Sequence, residues 1–447
     1  MPHDHADTIF ALASAPGRAG ISVIRVSGPA VLSSFKGLSQ IDLEPRVATL
    51  AHLQAPVSRE TIDRALVLYF ANPASYTGED LVEYHLHGGR AVVQAMLDYL
   101  TLCEGHRMAE PGEFTRRAFE NGKMDLTEAE AVADLIDAET QAQKVQALSQ
   151  MGGVLYRLYE GWSDDLKSML AHLEADIEFP DEDMPDGILP DLLPKIEALQ
   201  GHIDIHLQDN RRGERLRDGV KVVIIGAPNA GKSSLLNALA QRDAAIVSDV
   251  AGTTRDVIDV HLDLGGYPVV LSDTAGLRPE QLGDGGQDSI ESEGIRRALE
   301  LAQNADLKLL VFDASQANID AHSLQLIDEN ALVVLNKCDL KHADLGMDQG
   351  IEISVKTEDG LGALLSQMEE RIADLIGVQE TPALTRERHR VALQDCQAAL
   401  KRSLLGAMPE LVAEDLRLAI RYLGRITGRV DVEDLLDVVF NDFCIGK

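Results

Sequence analysis

A chain of 447 residues is too long for one hydrophobic core, and at roughly 150 residues per domain it predicts about three domains. The composition, 45% hydrophobic and 26% charged, is globular, and no apolar run approaches the roughly 18 residues of a membrane span. A net charge of −32 excludes a protein that coats nucleic acid, because phosphate binding needs basic surface that releases counterions. The acid is uneven, however. The first 123 residues carry 11 Lys and Arg against 14 Asp and Glu, so nearly all the excess lies further on and a local polyanion site is permitted.

The N-terminus, MPHDHADTIF, has no basic stretch leading into an apolar one. No secretory or transit signal is read there, and a cytoplasmic protein is expected. Cys103, Cys338, Cys396 and Cys444 are scattered, without a CxxC pair or zinc spacing, as reduced and mostly packing thiols would be.

Residues 1–120 mix β-rich runs, Ile21 to Ile24 and Ala65 to Phe70, with turn signals such as Ala15-Pro16-Gly17-Arg18 and His87-Gly88-Gly89. They predict an α+β domain. Residues 121–217 turn to helical periodicity rich in Ala, Leu, Glu and Gln, broken by the acidic loop Phe179 to Pro185. Residues 218–380 alternate apolar strands (Lys221 to Ile225, Val269 to Leu271, Leu307 to Phe312, Ala331 to Leu335) with helical segments, a doubly wound α/β pattern. Residues 381–447 are helical again. Two solitary helical pieces would each lack a partner for their apolar faces, so one α-helical domain split by an inserted α/β domain is expected.

The first α/β strand runs into Gly226-Ala227-Pro228-Asn229-Ala230-Gly231-Lys232-Ser233, a full GxxxxGK[ST] P-loop, and a helix-forming run follows. Its glycines let backbone N–H groups close on phosphates, Lys232 reaches the β and γ oxygens, and the Ser233 hydroxyl serves Mg²⁺. Asp273-Thr274-Ala275-Gly276 follows a second strand, where a carboxylate stands near the metal and a glycine N–H near the γ-phosphate. Asn336-Lys337-Cys338-Asp339 ends another strand. A carboxylate there accepts from both N1–H and the 2-amino group of guanine, which adenine does not offer. Ser354-Val355-Lys356 supplies a third base contact. Gly252-Thr253-Thr254-Arg255-Asp256 stands where a switch loop presents a threonine to Mg²⁺, a role that falls to Thr254. The position after Asp-Thr-Ala-Gly holds Leu277, which cannot orient an attacking water as the glutamine of small signalling GTPases does. The carboxylates between Arg278 and Gly294 are the candidates instead.

These residues resemble the MnmE (TrmE) family of tRNA-modification GTPases, and the resemblance covers essentially the whole chain. It rests on Pro16-Gly17-Arg18, Ile24-Arg25-Val26-Ser27-Gly28, Tyr76-Thr77-Gly78-Glu79-Asp80, Pro111 to Phe119, the P-loop with Asn229, Ala251 to Asp256, and the terminal Phe443-Cys444-Ile445-Gly446-Lys447. The resemblance implies a Ras-like G domain inserted into a helical domain and preceded by a folate-binding domain that also forms a homodimer. The implied nucleotide site comprises Asn229, Ala230, Gly231, Lys232, Ser233 and Ser234; Ser248, Asp249, Val250, Ala251, Gly252, Thr253 and Thr254; Asp273, Thr274, Ala275 and Gly276; and Asn336, Lys337, Asp339 and Ser354. Asn229, Ser248, Val250 and Thr253 would hold a K⁺ that stands in for an arginine finger when two G domains pair. The family's catalytic glutamate maps to Glu291, with Glu293 as the alternative because the stretch after Leu277 is longer here.

Arg25, Glu83, Lys123 and Lys447 carry over as the site for a formyl- or methylene-tetrahydrofolate, a carboxylate for the pterin edge and cations for the glutamate tail. Cys444 is placed either in the one-carbon chemistry or in packing. The implied reaction adds an aminomethyl or carboxymethylaminomethyl group at C5 of a tRNA wobble uridine, jointly with an FAD protein of the MnmG (GidA) type. No GxGxxG fingerprint is present in this chain, which agrees with the flavin residing on the partner. Two other readings share parts of the pattern: a GTP-timed ribosome or RNA assembly factor, and a folate enzyme working alone. The densest basic run available for tRNA is Arg211, Arg212, Arg215 and Arg217.

Overall fold

The computed structural model describes residues 7–178, 188–241, 259–273, 300–316, 320–340, 350–377, 382–406, 408–430, 433–441, 443 and 445–446. The chain divides into two compact units, one of Met1–Ala133, Gln150–Ser168 and Arg417–Lys447, the other of Asp134–Ser149 and Met169–Leu416.

The first unit is built on a six-stranded sheet. In chain order its elements are β1 (Thr8–Leu12), β2 (Ala19–Ser27), α1 (Val31–Leu38), β3 (Thr49–Gln54), β4 (Thr61–Phe70), β5 (Leu81–Gly88), α2 (Arg90–Leu102), β6 (His106–Met108) and α3 (Glu113–Glu120). The strand order is β3-β4-β5-β2-β1-β6, antiparallel except where β1 meets β6. Alternation along the strands decides the faces. Ile24 and Val26, Val67 and Tyr69, and Val82, Tyr84 and Leu86 form a core with Phe35 and Leu38 of α1 and Met96 and Leu100 of α2. A smaller cluster joins Ile9, Ala11, Ala109 and Phe114. Register sets Arg25 of β2 directly against Glu83 of β5.

Helices follow: α4 (Leu126–Asp137), α5 (Gln141–Met151), α6 (Val154–Glu178), α7 (Leu189–Leu207) and α8 (Arg212–Asp218). The second sheet then alternates with helices: β7 (Val220–Ile225), α9 (Lys232–Gln241), β8 (Asp259–Leu264), β9 (Tyr267–Asp273), β10 (Leu307–Asp313), α10 (Ala321–Leu324), β11 (Ala331–Asn336), β12 (Ile351–Glu352) and α11 (Leu361–Ile376). Its order is β12-β11-β10-β7-β9-β8, parallel apart from β8. Apart from Lys221 and Lys308, β7, β10 and β11 read as near-continuous apolar runs because both faces are covered. Val222 and Ile224 pack with Leu235 and Leu239 of α9 and Leu364 and Met368 of α11. Val223 and Ile225 face the other way, with Ala302, Leu310 and Phe312. This is the expected doubly wound domain.

Helices resume after the second sheet. Beyond the insert lie α12 (Glu387–Leu405), α13 (Pro409–Thr427) and α14 (Glu433–Asn441). In the second unit α12 packs on α7, Leu393, Cys396 and Leu400 being buried on one helix and Ile196, Leu199 and Ile203 on the other. In the first unit Leu126 and Ala129 of α4 join Leu436, Val439 and Phe440 of α14 and Phe443. Burial pushes the Cys396 thiol up to about 12, so this cysteine is the packing residue its scattered position suggested.

Candidate nucleotide-binding site

In a parallel sheet all carboxyl ends share one edge, and ligands bind where the winding reverses there. Here β9 and β10 flank β7, so the reversal lies beside the loop that follows Ile225. Asp273 ends β9, Asp313 ends β10 and Asn336 ends β11, which brings three polar side chains to the same edge as the P-loop.

Lys232 opens α9 with only 8% of its surface exposed. Its Nζ donates to the Gly226 carbonyl at 2.8 Å and the Ala227 carbonyl at 2.9 Å. Burial pushes its pKa down, opposed in part by Asp273 and Asp320. The ammonium is therefore already desolvated at a helix N-terminus, where an anion gains from both the charge and the free backbone N–H groups. Beside it the Ser233 hydroxyl donates to Asp273 Oδ2 at 2.6 Å. A hydroxyl and a carboxylate meeting at this point are the oxygen donors a hard divalent cation takes, so the chemistry of the pair fits Mg²⁺.

The loop itself is held in left-handed backbone, Asn229 at φ 64° and Gly231 at φ 101°. A Cβ on Gly231 would stand 2.2 Å from Asn336 Nδ2, which is why glycine is required there. Asn336 Nδ2 donates to the Ala230 carbonyl at 2.8 Å, and Asn336 Oδ1 accepts from Val355 N–H at 3.2 Å. Asp339 Oδ1 accepts from the Ser354 hydroxyl at 2.7 Å. Three segments that are far apart in sequence, the P-loop, Asn336 to Asp339 and Ser354-Val355, thus converge at one edge of the sheet.

Among the expected site residues, Ser248, Asp249, Val250, Ala251, Gly252, Thr253, Thr254, Thr274, Ala275, Gly276, Glu291, Cys444 and Lys447 lie outside the described residues. One contact beside these segments was not anticipated. Asp313 Oδ2 accepts from Lys337 Nζ at 2.6 Å. Its signal was available, a polar side chain closing an apolar strand just as Asp273 and Asn336 close theirs.

In the first unit, Arg25 and Glu83 are brought together, Arg25 Nε standing 3.0 Å and Nη2 2.9 Å from Glu83 Oε1. The guanidinium lies over the Tyr76 ring at 5.2 Å and the Phe114 ring at 5.7 Å, a cation–π arrangement that the two motifs carried unread. Lys123 Nζ donates to the Pro73 carbonyl at 3.0 Å, in the loop that bears Tyr76. The Arg25–Glu83 pair offers a cation and a carboxylate together, which fit a heterocycle with a donor and acceptor edge and an anionic tail. Arg117, 3% exposed, supports this region through Asp7 at 2.6 Å and Glu79 and Glu113 at 3.1 Å. Burial would raise the Asp7 and Glu113 carboxyls, yet Arg107 and Arg117 hold both below the usual range.

Three of the four arginines of the basic run are ion-paired within the protein. Arg211 pairs with Glu214 and Glu387, Arg215 with Asp306 at 2.7 Å, and Arg217 with Asp134 at 2.9 Å and Asp218 at 2.8 Å. Neighbouring carboxylates thus neutralise the charges of Arg211, Arg215 and Arg217.

Residues 126–444 match the family described as the MnmE helical domain, and residues 8–123 match the GTP-binding protein TrmE N-terminus. The chain is 54% identical over 446 residues to the tRNA modification GTPase MnmE of Parvibaculum lavamentivorans, spanning 99% of this chain and 100% of that one. The chain belongs to the MnmE (TrmE) family of tRNA modification GTPases. Other MnmE-family relatives agree. The MnmE of Paramagnetospirillum magneticum is 52% identical over 448 residues, covering 99% of this chain and 100% of its own. The mitochondrial 5-taurinomethyluridine-[tRNA] synthase subunit GTPB3 of Danio rerio is 46% identical over 472 residues, covering 99% and 93%. As an MnmE-family member the chain is a GTP hydrolase of tRNA modification, and the assembly-factor alternative falls with that match. No helix among the described residues is long and apolar enough to cross a membrane.

Proposed function

We propose that this protein hydrolyses GTP in a potassium-dependent way as a homodimer. With an FAD-containing partner of the MnmG type, in the cytoplasm, it uses that cycle to add an aminomethyl or carboxymethylaminomethyl group at C5 of a tRNA wobble uridine. The observation that carries the reading is the edge of the second sheet, where the desolvated Lys232 ammonium, the Ser233–Asp273 pair and the Asp339 carboxylate stand together.

On this reading Lys232 neutralises the β and γ oxygens, and the loop N–H groups from Asn229 to Ser234 orient them. Ser233 and Thr254 hold Mg²⁺, and Asn229, Ser248, Val250 and Thr253 hold K⁺; bound there, the two ions supply charge neutralisation as the leaving phosphate forms. Glu291, or Glu293 in the other register, aligns the attacking water that Leu277 cannot. In the first unit Glu83 pairs with the pterin edge of a tetrahydrofolate while Arg25, Lys123 and Lys447 meet its tail. The folate supplies the one-carbon unit, and Cys444 serves either that chemistry or packing.

The deciding experiment is GTP turnover by the full chain in KCl and in NaCl at equal ionic strength. Strong stimulation by K⁺ alone supports the Asn229 site and the paired G domains. Equal rates in the two salts leave a GTPase without that mechanism.

A further inference from the structure

The Lys337–Asp313 contact has a geometry that packing alone does not demand. Asp313 closes β10 and is aligned in register with Asn336, the last residue of β11. Ala314 N–H donates to the Asn336 carbonyl at 2.8 Å, which fixes the two strand ends together. Lys337, one residue past that junction, has φ 69°, a left-handed backbone that a lysine adopts only under constraint. Its Nζ reaches Asp313 Oδ2 at 2.6 Å. The second carboxylate oxygen is fixed independently, accepting from Ser315 N–H at 3.0 Å and the Ser315 hydroxyl at 2.6 Å. The Asp313 side chain is 11% exposed and that of Lys337 is 31% exposed. A near-buried carboxylate with no freedom of its own therefore grips a half-exposed lysine.

We propose that Asp313 is a positioning residue for nucleotide binding: it fixes Lys337 before nucleotide arrives and so holds the guanine-recognition segment in its binding form. This rests on the reading that Asn336 to Asp339 bind the base. A free lysine has several rotatable bonds to order on binding, and an anchored one has lost that freedom in advance, which strengthens binding without any contact between Asp313 and the ligand. Burial would raise the Asp313 carboxyl, but the hydrogen bonds from Lys337 and Ser315 more than offset it and keep it ionised, as a fixed anchor must be. Because GTP and GDP carry the same base, the contribution is equal for both and is absent from the chemical step.

The test is equilibrium titration of the full chain with fluorescent GTP and GDP analogues, together with kcat and KM, for Asp313→Asn, Lys337→Met and the double variant. The expected result is a loss of about 10-fold in affinity for both nucleotides in Asp313→Asn, KM rising by the same factor, and kcat at saturation within about two-fold. The double variant should bind no more weakly than Lys337→Met alone. Ser315→Ala loosens one carboxylate oxygen, predicts the same pattern at smaller amplitude, and serves if Asp313→Asn does not fold. Three results would overturn the proposal. They are unchanged affinity in Asp313→Asn where Lys337→Met binds weakly, additive losses in the double variant, and a fall in kcat or unfolding midpoint without a change in affinity. Unchanged affinity in Lys337→Met sinks the base-binding reading itself, and the proposal with it.

Discussion

Asn336 joins the P-loop to the Ser354-Val355 segment, donating from Nδ2 to the Ala230 carbonyl at 2.8 Å and accepting from Val355 N–H at 3.2 Å. Its side chain is buried, 3% exposed, so Asn336→Ala strands a backbone acceptor and a donor away from water. The expected cost is about 1–3 kcal/mol, with weaker binding of GTP and GDP together. Thermal unfolding with and without nucleotide measures both; a variant as stable and as tight as the parent would show that the bridge is dispensable.

Asp339 accepts from Ser354 through one oxygen, and an asparagine keeps an acceptor there while replacing the other with an amide donor. Asp339→Asn should thus preserve the loop and invert base preference. Each charge-assisted hydrogen bond contributes about 1.5–3 kcal/mol, so GTP affinity should fall by roughly 100-fold or more while xanthosine triphosphate binds better. Competition between the two nucleotides reads the outcome, and an unshifted preference for GTP would refute the base assignment.

Hydrolysis separates the two acidic candidates after Leu277. Glu291→Ala should lower kcat by roughly 10²–10⁴-fold and leave the dissociation constant for GTP near the parent value, because alignment of water matters only as the reaction proceeds. If Glu293→Ala shows this behaviour instead, the other register is right.

His206 predicts a pH dependence in the helical part. Burial above all, with Arg390 acting in the same sense and Asp209 opposing, lowers its pKa to about 4. The folded state therefore favours the neutral ring, whereas the unfolded chain takes up a proton near the ordinary value of about 6.5. Its stabilising share is fully present above pH 6.5 and is lost as pH falls from there toward 4, about 3 kcal/mol in total. Urea midpoints measured from pH 7.5 to 5 should fall for the parent and fall less for His206→Gln. Parallel curves would assign the acid sensitivity to other groups.

Much of the second sheet was legible because a parallel sheet covered on both faces leaves long apolar runs, and the polar residues that end them mark the ligand edge. Lys221 to Ile225 and Ala331 to Leu335 needed only one more residue each to match β7 and β11. The convergence of Asn336 on Ala230, 106 positions apart, was legible only through the order of motifs, since periodicity carries no information on long-range contacts. Tyr76 and Phe114 escaped notice because an aromatic in such a motif reads as core, and no spacing shows that the Arg25 guanidinium lies over both rings. The arginine run from Arg211 to Arg217 looked free because its partners Asp134, Asp306 and Glu387 are distant in sequence.

The pairing of α4 with α14 and of α7 with α12 has a consequence for synthesis on the ribosome. Leu126 finds Phe440 and Phe443 only when almost the whole chain has been made, and at about 5–20 residues per second that interval is on the order of 15–60 seconds. Throughout it the apolar face of α4 has emerged without its partner, and α7 waits within it from Leu207 until Glu387–Leu405 is made. The nascent protein is most exposed to aggregation in this interval, and a message truncated after Ile376 would leave both faces permanently uncovered.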